Sequence, residues 1–298
     1  MDSSNQSDNI NLEKKQINVL ENIKSDFFLR IIFDNLARNK KLGIIKINKK
    51  LQQRMNITIN DFKEYLEKYS PIEIEIIPAI NKYGKFFNCE NEDEDYYHAY
   101  ACTIDDDDDD YIEIYHSLDK EHTIKKIKLI IDYQVKSLED LFRECECIES
   151  VNFKKFYRNN IINMSRMFYK CFSLKEVIFT SCNTSRVKDM KSMFSYCTSI
   201  TKLDLSKFNT DWVKDMSYMF HACSSLKELN IYNFNTKYVI TMNAMFSGCI
   251  SLKEINIPDF NNKRAKRVRC MFYGCSCSGI MREKHKNLKE ESFIDNYS

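Results

Sequence analysis

The chain has 298 residues, with 45 Lys and Arg against 43 Asp and Glu, for a formal net charge of +2. That balance points to no partner by itself, and the length allows two domains. Hydrophobic residues make up 43%, Gly and Pro are scarce, and no run approaches the 18 apolar residues of a helical membrane span.

In chain order, the opening stretch MDSSNQSDNINLEKK is polar and has no apolar h-region. No signal peptide is expected, and residues 1–20 read as disordered. The closing DNYS lacks a prenylation cysteine. The expected location is cytoplasmic, with cell-surface placement by non-classical export as the alternative. Residues 21–70 read as a helical module. Phe28, Ile32 and Leu36 share one face, Leu42, Ile45 and Leu51 continue after a turn at 38–41, and Phe62 and Leu66 belong to another short helix. Pro71 ends this segment.

Residues 71–136 read as a β-rich capping region. Ile72-Glu73-Ile74-Glu75-Ile76 alternates cleanly, and further strands are expected at Tyr111–Tyr115 and Ile124–Tyr133. The last of these is expected to pair with the first repeat strand and shield its open edge. Acidic blocks at 90–95 (ENEDED) and 105–110 (DDDDDD), and a basic block at 263–269 (KRAKRVR), read first as solvated surface. Internal charge pairing or a partner footprint is the alternative. Val268 falls on a core column of the repeats described next, which weighs against the basic block as a localisation signal.

Residues 137–280 carry a unit of 26 residues whose register never slips. Met-Phe recurs at Met167-Phe168, Met193-Phe194, Met219-Phe220, Met245-Phe246 and Met271-Phe272, each followed by Cys171, Cys197, Cys223, Cys249 or Cys275. Leu141-Phe142 and Cys145 extend the series upstream. A fixed period of this size marks stacked units too small to bury their own apolar faces. Within one copy, Val213, Met216, Met219, Phe220 and Cys223 have the spacing of one helical stripe. Thr210 or Asp211 is the expected N-cap, and Ser224-Ser225 the expected break. Leu229 and Ile231 then alternate as a short strand, and Phe234 closes the core. Equivalent strand pairs are Val151/Phe153, Val177/Phe179, Leu203/Leu205 and Ile255/Ile257; the closing position holds Phe156, Cys182, Phe208 and Phe260.

The expected fold class is therefore α/β: a leucine-rich-repeat solenoid with one short strand and one helix per 26-residue repeat, preceded by a small α+β N-terminal domain. Strands about 4.8 Å apart and helices roughly 8–10 Å apart would curve it, strands inside. Residues 281–298 are expected to be a C-terminal tail.

The pattern M-x-x-M-F-x-x-C-x-S-L-x-x-L-x-L-x-x-F-N-T, read from Met190, Met216 and Met242, resembles the BspA-like class of leucine-rich repeats over about residues 137–277. That class is found in many bacterial and protist surface proteins, so the resemblance implies a surface adhesion or antigen role as one possibility. Phe208, Phe234 and Phe260 stand where the general template has Asn or Cys. The asparagine ladder is thus expected to be missing or shifted to Asn209, Asn235 and Asn261. Separately, Phe27–Met55 faintly resembles an F-box without its opening Leu-Pro pair, which would imply a substrate adaptor of a ubiquitin ligase.

The column cysteines are expected to be buried structural thiols, since helices 8–10 Å apart exceed the roughly 7 Å reach of a disulfide. Cys145/Cys147 and Cys275/Cys277 are C-x-C pairs, weak as metal signals. The five histidines are scattered, with His221 expected on an exposed helix face. No phosphate loop, H-E-x-x-H or G-x-S-x-G occurs. Neither catalysis, a cofactor nor a metal is expected. A protein-binding scaffold is. The expected docking face is the concave strand strip of Ser150, Asn152, Glu176, Ile178, Lys202, Asp204, Glu228, Asn230, Glu254 and Asn256. It is not basic, so no nucleic acid is expected. The partner is a protein, and the chain is expected to be a monomer.

Overall fold

The computed structural model describes residues 49–54, 67, 70–88, 97–103, 112–120, 124–131, 135–255, 265–286 and 288–294. The chain divides into two compact units, Met1–Leu66 and Glu67–Ser298. In the first, helix α1 (Lys49–Arg54) carries the fully buried Leu51. The rest of the F-box-like segment, the acidic blocks, Phe62, Leu66, Asn256, Ile257, Phe260 and Asn261 lie outside the described residues.

The second unit begins with strands β1 (Ile72–Pro78), β2 (Gly84–Lys85), β3 (Tyr97–Thr103), β4 (Ile112–Ile114), β5 (Ser117–Leu118) and β6 (Ile124–Ile131). Strands β7 (Ile148–Lys155), β8 (Glu176–Phe179), β9 (Lys202–Asp204) and β10 (Glu228–Asn230) follow from the repeats. A six-stranded sheet runs β4-β3-β6-β1-β7-β8, while β9 and β10 pair separately. The alternation of β1 buries Ile72, Ile74 and Ile76 on the face shared with Ile127, Leu129 and Ile131 of β6 and with Val151 and Phe153 of β7. The shield over the first repeat strand is therefore β1, antiparallel to β7, and not β6, which lies one strand further out. Alternation makes both segments strands but leaves their neighbours open. From β7 onward the pairing becomes parallel: Val151 faces Val177, and Leu203 faces Leu229.

The expected helix in every repeat does not form. Among the described residues helix is confined to α1, Glu67, α2 (Ser278–Lys284) and a 3₁₀ turn at Glu290–Ser292. The second unit is mainly sheet and turns, so the leucine-rich-repeat solenoid with a helix per unit is overturned. The strand is not uniform either, since 252–255 is not assigned to one.

The reason lies in two left-handed columns. Asp140, Arg166, Ser192, Tyr218, Ala244 and Cys270 all have φ between 51° and 59°. Glu144, Lys170, Tyr196, Ala222, Gly248 and Gly274 repeat the same feature four residues on, with φ between 57° and 76°. A helix needs φ near −63° at each position, so the segment becomes a chain of tight turns. Met219 N donates to Met216 O, and Cys223 N to Phe220 O, at 3.3 and 3.2 Å.

A left-handed non-glycine costs about 1–2 kcal/mol. Bonds to the next unit offset this: Tyr218 N to Asn243 O (2.8 Å), Phe220 N to Met245 O (2.9 Å) and Ala222 N to Ser247 O (2.7 Å). A helix would use those N–H groups within its own turn. Because backbone hydrogen bonds join the turn segments from unit to unit where helices would have packed, the wide helix spacing invoked for curvature is gone.

The residues expected in the core are there. Met167, Phe168, Cys171, Met193, Phe194, Cys197, Met219, Phe220, Cys223, Met245, Phe246 and Cys249 are completely buried. Phe142, Phe168, Phe194, Phe220, Phe246 and Phe272 form one column of near-parallel rings, with centroids 5.2–5.9 Å apart.

A threonine ladder replaces the expected caps. Thr210 does not start a helix: its Oγ1 donates to Asn235 O at 3.2 Å and accepts from Asn235 N at 2.7 Å. Thr184 does the same for Asn209. The threonines thus join unit to unit; the Oδ1 atoms of Asn209 and Asn235 accept from the N–H two residues on, and Asn235 Nδ2 also donates to Asp211 Oδ1 of the preceding unit at 2.7 Å.

The C-terminal segment closes the stack. Cys270 N and Phe272 N donate to the carbonyls of Glu291 and Ser292, and Phe293 stacks on Phe272 at 5.4 Å.

Candidate protein-binding face

Three consecutive strands set out the strip. In β8 the burial pattern makes Glu176 and Ile178 exposed; in β9 and β10 it makes Lys202, Asp204, Glu228 and Asn230 exposed around buried Leu203 and Leu229. This is the period-2 consequence of strand geometry. Parallel register sets Lys202 beside Glu228 and Asp204 beside Asn230.

Lys202 Nζ lies 2.8 Å from the Glu228 carboxylate. Its hydrogen bond to that carboxylate, followed by the attraction between the charges, raises the lysine pKa. Asp204 Oδ1 accepts from Ser206 N at 2.9 Å, and that backbone bond, followed by one from the Ser206 side chain, lowers its pKa. Asn230 Oδ1 accepts from Tyr232 N at 3.4 Å. Asp204 and Asn230 thus end their strands as well as facing outward, which explains why β9 and β10 are only three residues long.

Lys202, Asp204, Glu228, Asn230 and Glu254 line one open groove of about 400 Å³, with Lys227 and the strand backbone at Leu203 and Leu229. Glu176 is not part of it. It lies on β8, in the other sheet, where Ser150 Oγ is 3.4 Å from its carboxylate. Asn152 is likewise engaged with Thr180, at 3.0 Å. The groove offers three carboxylates, two ammonium groups and an amide, all open to solvent. Such groups bind by ion pairs and hydrogen bonds. Among the described residues no group of three or more His, Cys, Asp or Glu is placed to hold a metal ion.

Elsewhere the structure departs from the sequence expectation. His221 is not on an exposed helix face: it packs edge-on against Tyr196 and Tyr218, with centroids at 5.1 and 5.6 Å, and burial lowers its pKa. Sequence reasoning also missed a ridge outside the strands. Trp212, 61% exposed, stands one unit before Tyr238, and the Lys214 and Lys237 ammonium groups lie 5.2 and 5.3 Å from the Tyr238 ring centre. The spacing of exactly one repeat between Trp212 and Tyr238 was the available signal.

The repeats match a family model. It is described as "Mycoplasma protein of unknown function, DUF285", and it matches at residues 136–231 and 203–282. The matched span coincides with the repeat region, and at that level it agrees with the resemblance to BspA-like repeats. The description assigns no activity. No curated protein matches the chain. No solved structure matches it either. No helix among the described residues is long and apolar enough to cross a membrane.

Proposed function

We propose that the chain is a non-enzymatic protein-binding scaffold that docks its partner on the groove formed by Lys202, Asp204, Glu228, Asn230 and Glu254. The observation that supports this reading is the in-register exposure of charged side chains on β9 and β10, repeated in the next unit by Glu254. Stacked repeats present equivalent positions side by side, so a partner meets several at once. Carboxylates predominate, which favours a partner whose contact surface carries Lys or Arg.

The test is affinity capture with the full chain, followed by binding measurements on the purified pair. Charge reversal of Glu228 and Glu254 to Lys is expected to weaken binding at least tenfold, while Trp212→Ala leaves it unchanged. The reverse outcome moves the docking face to the Trp212–Tyr238 ridge and refutes the assignment. A surface adhesion role is the second reading, favoured by the repeat type; protection of the chain from protease added to intact cells would refute it. The ubiquitin-ligase adaptor reading depends on Phe27–Met55, most of which lies outside the described residues.

A further inference from the structure

The interior column cysteines share one hydrogen bond. Cys171, Cys197, Cys223 and Cys249 each donate Sγ–H to the carbonyl of Phe142, Phe168, Phe194 or Phe220, at 2.9, 3.1, 3.1 and 3.0 Å. The same register would hand Cys275 to the Phe246 carbonyl. Instead its Sγ lies 2.8 Å from the Sγ of Cys277, and its hydrogen bond to a carbonyl is a long one, to Leu252 O at 3.9 Å.

The C-x-C pair at the other end of the stack differs. Cys147 donates to the Lys85 carbonyl at 3.0 Å and Cys145 to the Arg143 carbonyl at 3.7 Å, so each thiol has its own acceptor. We propose that Cys275 and Cys277 are a redox-active dithiol that a hydroperoxide closes to an intrachain disulfide.

Geometry permits the bond. A chain extends at most about 3.6 Å per residue, so Cα atoms two apart stay within about 7 Å, the limit for a disulfide. The pair sits at the end of the cysteine column, where Cys275 keeps 4% exposure and the four interior members have none. One thiol donates to the other across this contact, and the shared hydrogen bond lowers the Cys275 pKa and raises that of Cys277. Cys275 keeps that exposure while Cys277 has none, so Cys275 is the thiol a hydroperoxide reaches and Cys277 the resolving thiol.

The Cys275 sulfur attacks one peroxide oxygen; an S–O bond forms, the O–O bond breaks, and the departing alkoxide takes a proton to become an alcohol. Cys277 then attacks the sulfenic sulfur. An S–S bond forms, the S–O bond breaks, and hydroxide leaves with the Cys277 proton as water. The dithiol is oxidised by two electrons and the hydroperoxide is reduced. A three-residue ring is strained, and strained disulfides are readily reduced again.

Closure falls where the end of the stack is held. Ser278 N donates to Cys275 O, and Met281 N in α2 to Cys277 O, at 3.1 and 2.9 Å.

The test treats the full native chain with tert-butyl hydroperoxide, alkylates the remaining thiols and reads fragment masses. Loss of two hydrogens between Cys275 and Cys277, restored by dithiothreitol, is the expected result. In Cys277→Ser the sulfenic acid should accumulate on Cys275 and react with dimedone; in Cys275→Ser oxidation at this site should slow at least tenfold. An unchanged mass at the pair, a bond to Cys270 instead, or equal oxidation of Cys145 and Cys147 overturns the proposal. The mass measurement on the unmodified chain stands whether or not the variants fold.

Discussion

The carbonyl of Phe194 accepts two protons, one from Cys197 N three residues on and one from the thiol of Cys223 in the next unit, both at 3.1 Å. The cysteine column is thus more than small apolar filler: each interior thiol fastens its unit to the preceding one. This accounts for Cys at a position where Ala or Val would fill space without supplying a donor.

Burial raises the pKa of Cys171, Cys197, Cys223 and Cys249 well above 9.0. The folded state then holds these protons where the unfolded chain releases them. Stability is expected to be level in this respect below pH 9 and to fall as pH rises further, by at most about 1.4 kcal/mol per pH unit for each thiol. Urea unfolding between pH 8 and 10.5 checks it; the slope should be shallower in Cys223→Ala. An identical slope in that variant would count against the buried-thiol assignment.

The same four thiols should react slowly with a thiol reagent in the native protein and quickly after denaturation. Fast native labelling of Cys197 or Cys223 would contradict their complete burial.

Phe220 lies between Phe194 and Phe246, at 5.9 and 5.6 Å, whereas Tyr218 packs on His221 and is only half-buried. Phe220→Ala should cost about 3–5 kcal/mol, and Tyr218→Ala clearly less. Equal shifts in thermal midpoint would refute the ring column as the main core.

Gly248 has φ +76°, and an added Cβ would lie 3.3 Å from the Ala222 Cα. Gly248→Ala should destabilise by about 1–2 kcal/mol. The converse change, Ala222→Gly, relieves a left-handed alanine while loosening the unfolded chain. Its effect should be the smaller of the two by calorimetry.

Glu228→Lys removes an ion pair whose partners are both about two-thirds exposed or more. Screened pairs of this kind add little to stability, so the thermal midpoint should not move. A large drop would mean that lost binding in this variant reports unfolding.

The strip of outward residues was largely legible in the sequence, because strand alternation assigns Lys202, Asp204, Glu228 and Asn230 to one face whatever surrounds them. Alternation did not say where a sheet would stop. Glu176 therefore looked equivalent to Glu228 until pairing put β8 in one sheet and β10 in another. Likewise the 26-residue register alone determined which side chains are buried, since Met219, Phe220 and Cys223 must face inward together.

Whether they do so from a helix or from turns was decided by tertiary structure. Spacing constrains where side chains point, but the backbone between them is free to choose its hand. At Tyr218 and Ala222 the left-handed conformation is unfavourable locally and is held by bonds to Asn243 and Ser247, 25 residues away. Only the stacked neighbour supplies those acceptors, so no reading of a single unit contains the information that makes it a turn.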